Sequence, residues 1–71
     1  MKGKGTLVYD RKSDRMDICF GQGDYYGGLH CGTPLEVQIG ESWIPTRIEM
    51  GNNWYLVGVK TSRLDGLVVR V

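Results

Sequence analysis

A chain of 71 residues is long enough for one small domain and too short for two. Its nine Lys and Arg against eight Asp and Glu give a net charge of +1, far from the basic excess that drives phosphate binding, so strong nucleic-acid binding is not expected. A catalytic pocket of ordinary size would hollow out so small a core, which favours a non-enzymatic binding module.

The chain has no run approaching the roughly 20 apolar residues of a membrane span. Its charged start at residues 1–5 is not followed by the long apolar stretch of a signal peptide. We therefore expect a cytoplasmic protein with no membrane partner. Cys19 and Cys31 are expected to remain unpaired, because disulfides are rare in reducing compartments.

Alternation of apolar and polar residues predicts β-strands along most of the chain. The predicted strands cover residues 6–9, 15–20, 35–39, 43–50, 54–59 and 67–71. Gly58 lies inside the fifth of these strands, which indicates that this strand is central or strongly bent.

Tight turns are predicted between the strands, at residues 10–14, 21–24, 40–42 and 51–53, where Gly, Asn and Asp are frequent. Gly51, Asn52 and Asn53 supply residues that tolerate positive φ in a hairpin. One short turn is predicted at residues 60–65, capped by Ser62 and ended by Gly66. Five to six short antiparallel strands joined in this way predict an all-β fold over residues 1–71, a small SH3-like barrel.

The stretch DYYGGLHCGTPLEV, residues 24–37, invites a test for chemistry. Gly27 and Gly28 suit a turn better than a phosphate loop, because no helix follows that could complete an anion site. His30 and Cys31, if they lie on one strand, point to opposite faces and cannot form a catalytic dyad. Zinc needs about four ligands, and this chain offers only Cys19, His30 and Cys31 as nitrogen or sulfur candidates, so no metal site is expected. No other cofactor is expected either. Cys31 is expected to pack as a small apolar residue and His30 to lie near the surface.

Aromatic residues carry the best remaining signal for binding. In an alternating register Trp43 points away from the core face, on which Ile44 and Ile48 are expected, and Arg47 shares its side of the strand. Trp43 is also compatible with a role in capping the barrel, whereas Trp54 is expected to lie in the core or at its end. The candidate binding residues are Tyr25, Tyr26, His30, Trp43, Arg47 and Tyr55.

The charged residues indicate local structure rather than catalysis. The four Asp residues near turns are expected to accept hydrogen bonds from local backbone. Glu36 and Glu49 are expected to pair with Arg47 or Arg15 across the strands.

The blocks YYGGLHCGTPLEV, WIPTRIEM and WYLVG, in that order, resemble a family of very short bacterial proteins of unknown function. These proteins occur mainly in Gram-positive bacteria and their mobile elements. The resemblance spans about residues 9 to 58 and brings no catalytic residues with it. It implies a small independent domain with an accessory role in phages or conjugative elements. A broader likeness of pattern links the chain to SH3-like and Tudor-like barrels, but fold does not determine function.

The sequence therefore predicts a binding module whose ligand is a protein or a peptide. One alternative is a homo-oligomer that sequesters a nucleotide or otherwise disables a host defence, with its pocket between subunits. A second alternative is weak binding of single-stranded nucleic acid through stacked aromatics. The basic residues available for that role are Arg11, Lys12, Arg15 and Arg47.

Overall fold

The structure, a computed structural model, describes residues 3–61 and 63–71. It contains seven β-strands, and no helix occurs within these residues. The strands are β1 (Lys4–Asp10), β2 (Arg15–Gly21), β3 (Asp24–Tyr25), β4 (Pro34–Ile39), β5 (Ser42–Met50), β6 (Trp54–Leu56) and β7 (Val68–Arg70). The prediction of a small all-β, barrel-like domain is confirmed. The additional strand is β3, which is too short to leave a pattern in the sequence.

The strands lie in the order β3-β2-β1-β7-β4-β5-β6, and every neighbouring pair is antiparallel. The sheet consists of two hairpin units, β1–β2 with β3 and β4–β5 with β6, which β7 joins by pairing with β1 and β4. The pairing of β1 with β7 continues beyond the strands, where Gly3 and Val71 exchange backbone hydrogen bonds of 3.0 and 3.1 Å. The last strand of the domain therefore lies in the middle of the sheet.

The connection from β3 to β4, residues 26–33, links the two units a second time. Its first part bonds to β2, with the Leu29 amide donating to the Met16 carbonyl at 2.8 Å. Its last part bonds to β5, with the Gly32 amide donating to the Ile48 carbonyl at 2.8 Å. Leu29 is fully buried between these two attachments. The segment thus closes the curled sheet over its own core.

The core is formed by one cluster of aliphatic side chains drawn from the strands and from this connection. Its buried members are Leu7, Met16, Ile18, Leu29, Leu35, Val37, Ile48, Leu56 and Val69. Phe20 and Trp54 pack against the cluster from its margins. β1 and β2 come unusually close at Gly5, where a Cβ would lie 2.5 Å from the Cys19 carbonyl oxygen. Only glycine fits that position without a shift of the backbone.

The predicted strand at residues 54–59 is correct only for residues 54–56, and of its two predicted features the central position is wrong. β6 ends at Leu56 and lies at the edge of the sheet rather than at its centre. Gly58 has a φ of +78°, so it ends the strand by turning the chain. The turn at residues 40–41 does use positive φ, with Gly40 at +61°, whereas no positive φ occurs at residues 51–53.

Two further local predictions need correction. Ile44 was expected on the core face, but it retains 37% of its accessible surface although its partner Val37 is buried, because β6 pairs with β5 only at residues 48–50 and leaves Ile44 at the margin of the sheet. In the predicted turn at residues 60–65, the described residues form no helical turn, and a bend at Asp65 and Gly66 precedes β7. Ser62, the predicted cap, lies outside the described residues.

Candidate functional site

Tyr9 lines two grooves of the surface. It stands near the end of β1 with 42% of its surface exposed, and its hydroxyl donates a hydrogen bond to the Asp14 carboxylate across the β1–β2 turn. This hydrogen bond is the main reason that the pKa of Tyr9 is raised above its ordinary value of 10.0. Asp14 has a φ of +56°, which Asp tolerates better than most residues. The turn therefore holds the phenol in a fixed orientation.

The first groove, which we call the Trp54 groove, has a volume of about 330 Å³ and lies on one side of Tyr9. It runs between the β1–β2 turn and the β5–β6 hairpin, and the segment before β7 also lines it. The indole Nε1 of Trp54 donates to the Asp14 carbonyl at 3.2 Å, so the two turns are tied together. The lining residues are Tyr9, Asp14, Met16, Met50, Asn52, Asn53, Trp54, Leu64 and Asp65.

The second groove, the Tyr25 groove, has a volume of about 410 Å³ and lies on the outer face of β1 and β2, where the register places Val8, Asp10 and Asp17. Its lining residues are Val8, Tyr9, Asp10, Asp17 and Tyr25. The carboxylate of Asp10 accepts hydrogen bonds from the Ser13 hydroxyl at 2.9 Å and the Lys12 amide at 3.0 Å. These two bonds, with that of Ser13 the stronger influence, hold the pKa of Asp10 below its ordinary range.

Asp17 fixes the wall of the Tyr25 groove. One of its carboxylate oxygens accepts hydrogen bonds from the backbone amides of Ile18, Gly27 and Gly28, at 2.8, 3.0 and 3.0 Å. Gly27 and Gly28 have φ of +109° and +101°, so the glycine pair forms a turn, as the sequence predicted. Asp10 confirms the expectation that acidic residues near turns bond to local backbone, whereas Asp17 bonds mainly to residues 27–28 of a distant segment and the Asp14 carboxylate accepts from the Tyr9 hydroxyl.

Three of the binding residues predicted from sequence fall in or near the connection that follows β3. Tyr25 is 52% exposed and lines the Tyr25 groove. Tyr26 is 40% exposed, and its amide continues the pairing with β2 through the Ile18 carbonyl. His30 is exposed at the start of the turn before β4, where Thr33 bonds to its backbone. These residues do not converge on one pocket.

The other three predicted binding residues lie on β5 and β6. Trp43 is half-buried because the guanidinium of Arg70 covers its ring, 4.3 Å from the centroid. Arg47 and Tyr55 are exposed. By strand alternation and register, all three share the outer face of the sheet.

The ion pairs on this outer face differ in part from the prediction. Arg70 bonds to Glu36 at 2.5 Å, and Arg47 bonds to Glu49 at 2.9 Å. The expected partner of Glu49 is therefore correct, although it lies on the same strand, whereas Glu36 pairs with a residue of β7.

A shallow depression of about 380 Å³ beside Arg47 is lined by Gly32, Pro34, Pro45, Thr46, Arg47 and Val57.

The prediction that Cys31 packs as an apolar residue is wrong, because it is exposed in a turn rather than placed on a strand. Cys19 is half-buried, and its thiol lies 3.2 Å from the Gly21 carbonyl. Both thiols are free.

Within residues 3–61 and 63–71 no cluster of three His, Cys, Asp or Glu side chains could hold a metal ion. The same residues include no helix that is long and apolar enough to cross a membrane.

Sequence reasoning missed most of the Trp54 groove. Tyr9 was assigned only to a strand, and Asn52 and Asn53 only to a turn. A signal was nevertheless present, because Met50, the Asn pair and Trp54 surround one hairpin turn, where side chains from both strands and the turn project together. What the sequence does not reveal is that the β1–β2 turn lies against this hairpin.

Residues 5–71 match a family described as a domain of unknown function, DUF5348. The chain belongs to this family. It is also similar to a protein from Ruminococcus gnavus whose crystal structure was determined by structural genomics, with 54% sequence identity and a TM-score of 0.92. The match covers 96% of this chain and 99% of that one. No curated protein matches the chain.

Proposed function

We propose that this domain is a non-enzymatic binding module that takes a protein segment or a peptide in the Trp54 groove. The observation that carries the proposal is the combination of Tyr9 and Trp54 in one concave surface, with both orientations fixed by hydrogen bonds to Asp14. Rigid aromatic side chains in a concavity provide large contact areas at a low cost in conformational entropy. Asn52 and Asn53 add amide donors and acceptors of the kind that a peptide backbone requires.

Binding is better supported than catalysis by the titratable groups. The raised pKa of Tyr9 keeps its hydroxyl protonated, which suits a hydrogen-bond donor and not a general base. The chain has a single histidine, His30, and it does not line the groove. The resemblance of the sequence extends the proposal to an accessory role in the cytoplasm of bacteria that carry phages or mobile elements.

The two alternatives have less support from the surface. A pocket for a nucleotide would need donors for phosphate oxygens, but the charged residues of both grooves are aspartates. Single-stranded nucleic acid would need free cations beside stacked rings, but Arg47 and Arg70 pair with Glu49 and Glu36.

Selection of a random peptide display library on the immobilised domain tests the proposal. We expect selected peptides to lose binding at least about tenfold on Met50→Ala and on Tyr9→Ala, because hot-spot truncations commonly cost that much. Ile39→Ala is the matched control for Met50→Ala, because the two side chains are 45% and 43% exposed. Tyr55→Ala is the matched control for Tyr9→Ala, because these two are 47% and 42% exposed. The controls should bind as the wild type does.

Two results would overturn this assignment. If the library yields no binder while oligothymidine or ATP binds, the ligand class is wrong. If Tyr55→Ala and Arg47→Ala abolish binding while Met50→Ala does not, the ligand lies on the outer face of β5 and β6 instead. Native mass spectrometry of the same samples reports subunit number and detects a homo-oligomer.

A further inference from the structure

β5 is longer than the strand that pairs with its second edge. It extends over Ser42–Met50, but β6 pairs with it only at residues 48–50, and the Val57 amide adds one bond to the Arg47 carbonyl at 3.1 Å. Gly58, with its φ of +78°, then ends the pairing by turning the chain. Among the residues that the structure describes, no strand therefore lies beside residues 43–45 on this side, which we call the free edge.

The register of the β4–β5 hairpin determines which backbone groups point out of the free edge. Ile39 and Ser42 flank a two-residue turn, so the even-numbered residues of β5 from 42 to 46 direct their N–H and C=O groups towards β4. The residues between them point the other way, which agrees with the Arg47 carbonyl, whose donor comes from the β6 side. The groups at the free edge are therefore the amide and the carbonyl of Trp43 and the carbonyl of Pro45.

Pro45 occupies a position at which proline removes no hydrogen bond from the sheet. Its nitrogen points away from β4, whereas a proline at residue 44 or 46 would remove a bond between β4 and β5. The donor that its ring does remove belongs to the free edge, where another chain could add a strand. The effect of this proline is thus confined to the surface on which an added strand would pair.

The other residues of this edge favour pairing rather than oppose it. Trp43, Ile44 and Thr46 are of types that favour strands, and Ile44 keeps 37% of its surface exposed. None of the three is charged, and the charge of Arg47 is paired with Glu49 at 2.9 Å. Charged side chains are a common protection of sheet edges against other chains. At the free edge of β5, proline takes their place.

We propose that Pro45 keeps the domain from pairing with a second copy of itself along the free edge of β5. In the two-fold register that places Ile44 against Ile44 of the second copy, Trp43 lies opposite residue 45. Four hydrogen bonds would join two such edges without proline, but Pro45 removes two of them and leaves both Trp43 carbonyls covered without a donor. The same register brings Glu41 towards Arg47 of the second copy, so charge does not prevent the contact.

Pro45→Val tests this inference, which is independent of the proposed function, because valine restores the amide and favours a strand. The interface would be small, so a dilution series up to about 1 mM is followed by NMR. We expect the amides of residues 43–45 to shift and to exchange more slowly as the concentration of Pro45→Val rises. The dimerisation constant should exceed that of the wild type at least about tenfold, since two hydrogen bonds are restored. Sedimentation velocity should show a species of twice the monomer mass.

Three further variants test where the contact lies. Pro45→Ala restores the same amide with a smaller side chain and should also dimerise. Pro34→Val is the matched control, because Pro34 is likewise exposed on a strand but its nitrogen points away from β5, so this variant should remain monomeric. Adding Ile44→Lys to Pro45→Val should abolish the dimer, since two like charges would lie directly opposite each other.

Several results would overturn the inference. It is wrong if Pro45→Val and Pro45→Ala stay monomeric at the highest concentration, or if neither variant folds, because the proline would then serve the sheet itself. It is also wrong if the wild type or Pro34→Val dimerises as strongly as Pro45→Val does. Self-association of Pro45→Val that survives Ile44→Lys would place the contact elsewhere and refute pairing along β5.

Discussion

Replacing Gly5 with alanine should destabilise the domain severely, because β1 and β2 leave no room for a side chain there. The new Cβ would lie 2.5 Å from the Cys19 carbonyl oxygen and 2.8 Å from Cγ2 of Ile18. Carbon and oxygen atoms of neighbouring strands normally stay at least about 3.3 Å apart, so the strands would have to separate by about 0.8 Å. Such a shift weakens the hydrogen bonds on both sides of the contact.

We expect Gly5→Ala to cost about 2–3 kcal/mol in the free energy of unfolding, within the range of overpacked sites. A core in a domain of this size supplies only about 3–5 kcal/mol in total, so the variant should be partly unfolded at 37 °C. Urea denaturation followed by tryptophan fluorescence measures the loss. With a slope near 1 kcal/mol per molar, the midpoint should fall by about 2–3 M.

Gly51→Ala is the matched control for this change. Its φ is not positive, and a Cβ there would meet only the ring of Tyr55 at 3.4 Å, an ordinary contact. This variant should be as stable as the wild type or more stable by up to about 1 kcal/mol, because alanine restricts the unfolded chain. If Gly5→Ala unfolds at the same urea concentration as Gly51→Ala, the close approach of β1 and β2 at Gly5 is wrong.

Two further predictions concern the residues that hold the grooves in shape. Asp17→Ala should lower the free energy of unfolding by about 1–3 kcal/mol because it removes the acceptor of three backbone amides. Asp17→Asn keeps an acceptor oxygen and should lower it less. Equal urea midpoints for both variants and the wild type would contradict this role. The pKa of Tyr9 is raised in the folded state, so its contribution to stability is present below its ordinary pKa of 10.0 and is lost as the pH rises through the raised value. Melting temperatures between pH 8 and pH 11 should therefore fall more steeply for the wild type than for Tyr9→Phe, and parallel curves would refute the argument.

Strands that belong to local hairpins were predictable from the sequence. The alternation in β2, β4 and β5 is visible because each strand has one face on the core, as with Leu35 and Val37 in β4. The Gly40-Glu41 turn was likewise visible, because a glycine in the first central position suits a two-residue hairpin.

Interactions between distant segments were not predictable in this way. Trp43 was predicted either to point away from the core or to cap the barrel, but its cover by Arg70 depends on β7 pairing with β4, which local alternation does not specify. The same limit applies to the Trp54 groove. Its two walls are separated by about 40 residues in the chain, and only the folded structure brings the Trp54 indole to the Asp14 carbonyl.

Gly58 shows how a local rule can point in the wrong direction. The apolar run from Trp54 to Val59 resembled a buried strand, and a glycine within such a run was interpreted as a bend. The run instead leaves the sheet after Leu56, and Val59 packs against the margin of the core from a loop. Apolar residues indicate that a segment is buried, but they do not indicate whether the buried side chains belong to a strand or to a loop.

The central position of β7 has a consequence for the order of events when the polypeptide emerges from a ribosome. Both hairpin units can form from residues already synthesised, but residues 68–70, which join them, emerge after both units. Until then, the edges of β1 and β4 lack their common neighbour and expose backbone groups that can pair with another chain. We therefore expect nascent chains that end before residue 68 to depend on chaperones, and the complete sheet to form only after translation of this segment.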